Sequence, residues 1–168
     1  MSEAIDFIGD IHGHCDELRS LLSRLGYAES GGAFRYPDNR RKVVFLGDYV
    51  DRGPKIRETL RIVRAMCEAG SAVALMGNHE FNMLSYWQPN GKGGRRLEES
   101  GDDYLRKHSS KNQKVHAKTI EAFGDHPDEF REVLDFLKTL PLYLGTDDAE
   151  KVADVERISR GVDTDVCR

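Results

Sequence analysis

Three short polar clusters, each opening on a glycine, contain the residue types that metal and phosphate chemistry requires. The first is Gly9-Asp10-Ile11-His12-Gly13. Asp10 and His12 stand two apart, so an extended segment turns both to one side and sends Ile11 into the core. A carboxylate oxygen beside an imidazole nitrogen suits a borderline divalent ion such as manganese, iron or zinc. The second cluster is Gly47-Asp48-Tyr49-Val50-Asp51-Arg52-Gly53. One of its carboxylates could bridge two ions, the other could orient an acid or a base, and arginine offers a planar fork for phosphate oxygens. The third is Gly77-Asn78-His79-Glu80. An amide oxygen is a neutral ligand, and a histidine next to it could give a proton to a leaving alkoxide. Each cluster also has an ordinary reading: Asp48 and Asn78 could be helix N-caps, and His79 with Glu80 the first turn of a helix.

What separates these readings is the element that precedes each cluster. Three short apolar runs end on the three glycines: Ile5-Asp6-Phe7-Ile8, Val43-Val44-Phe45-Leu46 and Ala72-Val73-Ala74-Leu75-Met76. The first two are β-branched, nearly continuous, and read as strands of a parallel sheet buried on both faces. Helical stripes lie between the strands. Leu18, Leu21, Leu22 and Leu25 follow the i, i+3, i+4, i+7 rule and Gly26 suits the helix end. Ile56, Leu60, Val63 and Met66 or Cys67 make a second stripe, with Pro54 in its first turn. Gly31 to Arg41 reads as a polar turn between an extended Phe34-Arg35-Tyr36 and the second strand. The order strand–helix–strand–helix–strand is an α/β arrangement with right-handed crossovers. Open α/β sheets place ligands beyond their strand ends, where all three clusters fall.

Later in the chain, Asn90 to Asp103 is glycine-rich and charged and reads as a mobile loop. Val115–Phe123 and Glu129–Leu140 read as helices, and Leu142-Tyr143-Leu144 as extended. Between Lys92 and Lys118 eight Lys or Arg stand against four acids, a basic insertion of about residues 90–126 whose ordinary role is a solvated surface. With 168 residues, 39% apolar and 32% charged, the chain suits one soluble globular domain. A net charge of −4 gives no general attraction to nucleic acid or an anionic membrane. There is no signal-like start and no apolar run near the roughly 20 residues of a membrane helix. Cys15, Cys67 and Cys167, isolated and odd in number, point to reduced thiols in a cytoplasmic protein.

The three clusters together, in this order, resemble the N-terminal signatures of calcineurin-like metallophosphoesterases. The resemblance is to the phosphoprotein-phosphatase branch, with its serine/threonine phosphatases and symmetrical diadenosine tetraphosphatases, and covers about residues 1–90, more loosely to Asp148. It implies an α/β sandwich, helices flanking two sheets, and two divalent metal ions: manganese first, with iron, zinc or nickel also compatible. Carried over, Asp10 and His12 hold the first ion, Asp48 bridges both, and Asn78 is a ligand of the second. Arg52 binds the substrate phosphate, and His79 is the general acid, oriented by Asp51. The attacking group is a water or hydroxide between the ions, so no protein nucleophile is needed. The implied partner is a phosphorylated protein or a small phosphate-rich nucleotide. The basic insertion and the short helix–turn–strand opening favour small phosphate-rich nucleotides or a general bacterial phosphatase. The sequence leaves the oligomeric state open.

The resemblance also implies two further histidines from a second half of the domain, after strands of a second sheet. His14, His108, His116 and His126 do not follow apolar strands and read as surface or helix-face residues. From Glu150 the apolar pattern stops, and seven acids fall from Asp147 onward. The expected division is therefore a metallophosphoesterase domain over residues 1–149, incomplete at its C-terminus. Residues 150–168 are expected to be an atypical tail, non-native or disordered, from truncation or a frame shift. The alternative function that follows is a weak or inactive metal- and phosphate-binding fragment.

Overall fold

The computed structural model describes residues 4–89 and 104–145. The glycine-rich loop expected over 90–103 and the tail over 150–168 lie outside these residues. The first apolar run forms β1 (Ala4–Ile8), the second β4 (Arg41–Phe45) and the third the shorter β5 (Ala72–Ala74). They pair in parallel in the order β1-β4-β5, with Phe7 beside Val44 and Val44 beside Val73. Parallel pairing requires crossovers, which α1 (Cys15–Arg24) and α2 (Ile56–Glu68) supply.

In α1 the stripe buries Leu18 and Leu22, while Leu21 faces outward. Gly26 follows the C-cap with φ +93°, the left-handed stop that a helix end favours. In α2 the stripe is Ile56, Leu60, Val63 and Met66, all buried. Pro54 stands before that helix rather than in its first turn, because Lys55 is the N-cap. The segment after α1 is a hairpin, β2 (Ala28–Ser30) antiparallel to β3 (Ala33–Arg35), and only β3 overlaps the extended segment expected from sequence. Gly31 and Gly32, with φ +61° and +83°, supply the two positive dihedrals of a tight hairpin turn.

Among the described residues one face of the sheet is covered throughout and the other only along the central strand, where Val44 is buried; the expectation of two buried faces holds for β4 and not for β1. Val43 and Phe45 pack with Leu22, Leu60 and Val63 in the core. On the opposite face Ile5 is 40% exposed, Phe7 43% and Val73 36%. Among the described residues the two crossover helices serve the first face, and the one remaining sheet is the β2–β3 hairpin.

The rest of the described chain is helical: α3 (Asn78–Trp87), α4 (Ser110–Val115), α5 (Ala117–Phe123) and α6 (Pro127–Lys138). The single helix expected over Val115–Phe123 is broken at His116, which ends α4 and caps α5. Proline at the start of α6 costs no hydrogen bond, because N–H groups in a helix's first turn have no intrahelical acceptor. Glu129 of α6 takes bonds from Arg57 and Arg61 of α2, and the Trp87 and Phe130 rings meet at 4.9 Å between α3 and α6. After α6 the chain returns to the sheet, where Met76 N–H donates to the Pro141 carbonyl at 2.9 Å. Leu142-Tyr143-Leu144 is not a strand, and Leu142 and Tyr143 are exposed. Among the described residues no helix is long and apolar enough to cross a membrane.

Candidate metal centre

The loops that follow β1 and β4 are bonded to one another through their backbones, and the loop after β5 joins them through the Asp48 and Glu80 side chains. His12 N–H donates to the Asp48 carbonyl at 2.7 Å, Gly13 N–H to Tyr49 at 2.8 Å, and Gly53 N–H back to His12 at 2.8 Å. A Cβ at Gly47 would overlap the Gly77 backbone, and one at Gly53 would overlap the His12 carbonyl. This close approach dictates glycine at both positions. It also bends the chain sharply. Asp10, His12, Asp48, Asp51 and Arg52 all have left-handed φ, between 44° and 66°. The extended Asp10-Ile11-His12 segment expected from sequence is therefore a turned one. Each such residue costs on the order of 1 kcal/mol or more and persists only where its surroundings fix it. Here the interloop hydrogen bonds do so. Ile11 is nonetheless buried, as expected.

The side chains converge at this junction. His12 donates from Nδ1 to the Val50 carbonyl at 2.8 Å, which fixes its tautomer and leaves Nε2 bare. That nitrogen is buried without a hydrogen-bond partner, 3.8 Å from Asp10 Oδ1 and 3.9 Å from Asp48 Oδ2. Burial pushes the His12 pKa below the ordinary imidazole value, the Val50 bond pulling the other way. A bare ring nitrogen aimed between two carboxylates fits a divalent cation. Ligand atoms of His12, Asp48 and His79 lie within 4.8 Å of one another. The Asn78 amide stands 3.0 Å from Asp48 Oδ2 and 3.2 Å from Oδ1. With its –NH₂ turned inward it donates to both. With its oxygen turned inward, amide and carboxylate become acceptors facing each other across a gap that a cation would suit.

Asp48 is held from behind. Its Oδ1 accepts from His79 N–H at 3.0 Å. The fully buried Glu80 carboxylate accepts from the N–H groups of Asp48 (2.7 Å), Tyr49 (2.8 Å), Val50 (3.2 Å) and Gly77 (3.1 Å). Burial pushes Glu80 up to about 7, with the bonds from Asp48, Tyr49 and Val50 pulling down. Glu80 stands in the first turn of α3, as its ordinary reading from sequence has it, but its hold on the Asp48 loop was not expected. Its spacing of three from Gly77 is the available signal, since a Glu at the third helical position reaches back to the cap N–H.

Asp51 and His79 form a dyad. The Asp51 carboxylate is fully buried, and Oδ2 lies 2.7 Å from His79 Nδ1. His79 Nε2 then faces Arg52 Nη2 at 3.4 Å. The Asp51 hydrogen bond raises the His79 pKa above the ordinary imidazole value, against burial. Asp51 has two more partners that sequence reading missed: His116 Nδ1 at 3.1 Å and Thr119 Oγ1 at 2.6 Å. Burial pushes the Asp51 carboxyl up, but bonds from His116, His79 and Thr119 outweigh it and hold the group well below the carboxylate range. His116 is thus fully buried rather than a surface or helix-face residue, because it plugs the α4–α5 junction against Tyr86 and Trp87. His14 and His126 are exposed, and His108 bonds the Tyr86 carbonyl.

The sequence matches the Calcineurin-like phosphoesterase family profile over residues 4–162. The chain belongs to that family. It is 33% identical over 126 residues to the bis(5'-nucleosyl)-tetraphosphatase PrpE [asymmetrical] of Oceanobacillus iheyensis, covering 73% of this chain and 49% of that protein. With the same-named protein of Halalkalibacterium halodurans the identity is 43% over 81 residues, 48% of this chain and 32% of the relative. The chain thus matches half or less of the length of these curated relatives. Among solved structures, a metallophosphoesterase from Sphaerobacter thermophilus superposes with a TM-score of 0.47 at 20% identity. That superposition covers 88% of this chain and 45% of the other.

Proposed function

We propose that the three loops bind divalent metal ions and phosphate, and that the chain hydrolyses phosphate esters or anhydrides, with dinucleoside polyphosphates as its substrate class. The observation that carries this reading is the bare, buried Nε2 of His12 turned toward Asp10 and Asp48. Asp10 and His12 would hold one ion, Asp48 would bridge, and Asn78 would reach the other. Manganese is the first choice, and iron, zinc or nickel also suit nitrogen and oxygen donors. When bound, such ions activate water and offset charge on the phosphate.

The chain's own side chains account for the remaining steps. Exposed Arg52 would grip phosphate oxygens. Asp51 holds the hydrogen of His79 on Nδ1 in the neutral ring, so the Nε2 face delivers the proton to the leaving oxygen. The Asp51 bond raises the pKa of His79, which favours the protonated ring that an acid needs. The names of the relatives support a dinucleoside polyphosphate over a phosphoprotein. Free thiols at Cys15 and Cys67 accord with a cytoplasmic setting. In the decisive assay the 168-residue chain meets diadenosine tetraphosphate and a phosphopeptide, each with manganese and with a chelator. Turnover of the dinucleotide that needs metal is expected. Activity surviving the chelator contradicts the reading, and a strong peptide preference overturns the substrate class.

A second reading, a binding fragment without turnover, draws on the donor count. Among the described residues His14, His108, His116 and His126 add no nitrogen to the cluster. Two tight manganese sites by calorimetry would argue against it.

A further inference from the structure

The Asp51 carboxylate is gripped from two sides. From α3 comes His79, through Nδ1 to Oδ2 at 2.7 Å. From the α4–α5 junction come His116, with Nδ1 at 3.1 Å from Oδ2 and 3.3 Å from Oδ1, and Thr119, whose Oγ1 donates to Oδ1 at 2.6 Å. The same hydroxyl accepts from Asp51 N–H at 3.1 Å. Backbone and carboxylate of a residue in a left-handed conformation are thereby tied to one helix. His116 is itself locked: its N–H bonds Asn112, its carbonyl caps Ile120, and its ring lies 5.2 Å from that of Tyr86. Its Nε2 is buried without a partner, so Nδ1 is the nitrogen whose hydrogen has somewhere to go. A carboxylate bonded to His79 alone could turn about its Cα–Cβ and Cβ–Cγ bonds. With Oδ1 pinned by Thr119 and both oxygens flanked by His116, Oδ2 is left aimed at His79.

We infer that His116, assisted by Thr119, is a positioning residue for His79: it sets the Asp51 carboxylate that orients the His79 ring toward the leaving group. The inference rests on the reading of His79 as the proton donor. Neither His116 nor Thr119 reaches the substrate. Their effect should fall on proton delivery, which matters more as the leaving group becomes a worse one. His116→Phe keeps a ring without a donor. His116→Asn puts an amide N–H near the place of Nδ1.

The test has two arms on the full chain. With manganese, kcat and KM are compared for phenyl phosphate and 2,4-dinitrophenyl phosphate. His116→Phe should lose about tenfold or more in kcat on the phenyl ester, within the range a general acid contributes. It should lose much less on the dinitrophenyl ester, with KM little changed, and His116→Asn should recover most of the loss. In the second arm, proton NMR follows the low-field imidazole N–H of His79, identified by its loss in His79→Gln. That signal should broaden or vanish in His116→Phe and persist in His116→Asn. Equal losses on both esters, a loss carried by KM, no advantage of Asn over Phe, or an unchanged His79 signal would each overturn the inference. A wild-type chain without metal-dependent turnover contradicts the proposed function instead, and the NMR arm then decides the positioning role by itself.

Discussion

His79 meets Asp51 through Nδ1 and presents Nε2 beside Arg52, so removing its ring should act on proton transfer and leave the metal ligands in place. His79→Ala should lower kcat by ~10²–10⁴-fold, while calorimetry finds manganese affinity little changed. A loss of metal binding would make His79 a ligand instead. Glu80 acts at one remove, its carboxylate accepting four backbone N–H groups, including that of Asp48. Glu80→Gln points an –NH₂ at some of those donors. Unfolding midpoints should report a loss of about 1–3 kcal/mol, the cost of leaving buried polar groups unpaired. A variant as stable as the wild type would contradict that role. The convergence of Asp10, His12, Asp48, Asn78 and His79 was legible in sequence, because each follows a short apolar strand and parallel strands deliver their ends to one edge. His116 and Thr119 were not. They lie 65 and 68 residues from Asp51, and no local pattern joins them to it. The left-handed dihedrals of His12 and Asp48 were equally hidden, since these residues are held by bonds between loops.

At the scale of elements, β1 is fastened to β4 by a side-chain cluster as well as by its ladder. Asp6 accepts two bonds from Arg41, both at 2.6 Å, and one from the Tyr27 hydroxyl at 2.9 Å. Burial pushes the Asp6 carboxyl up, yet the bonds from Arg41 and Tyr27 outweigh it and hold the group below its ordinary value. A depressed carboxyl stabilises the fold above its unfolded pKa of about 3.9 and loses that contribution as pH falls through the folded value. The stability gap between the wild type and Asp6→Asn should therefore be present at neutral pH and fade on acidification below about 3.9, as read from urea midpoints. A gap independent of pH would assign the effect to packing. The three parallel strands and the helical stripes of α1 and α2 were legible from apolar runs and periodicity, and α6 was read as helical. Strand β2 was not, because Ala28-Glu29-Ser30 is exposed along its length and carries no alternation. The break at His116 was hidden too, since α4 buries no residue and leaves no stripe to read.

For the whole molecule, the partly open sheet face, exposed at its outer strands, is the feature with the largest consequence. Ile5, Phe7 and Val73 place exposed apolar side chains on one side of a sheet whose outer strands, β1 and β5, have free edges in the described sheet. Surfaces of this kind promote association. The 168-residue chain should associate with rising concentration in light scattering, and Phe7→Lys should reduce the effect without altering manganese binding. A monodisperse monomer at high concentration would contradict this. The central claim is that three loops from three strand ends make one divalent-metal centre, and titration calorimetry with manganese tests it most directly. The wild-type chain should bind manganese saturably, and Asp48→Asn should abolish or severely weaken that binding while the far-ultraviolet circular dichroism stays unchanged. Manganese binding of undiminished affinity in a folded Asp48→Asn chain would contradict the account.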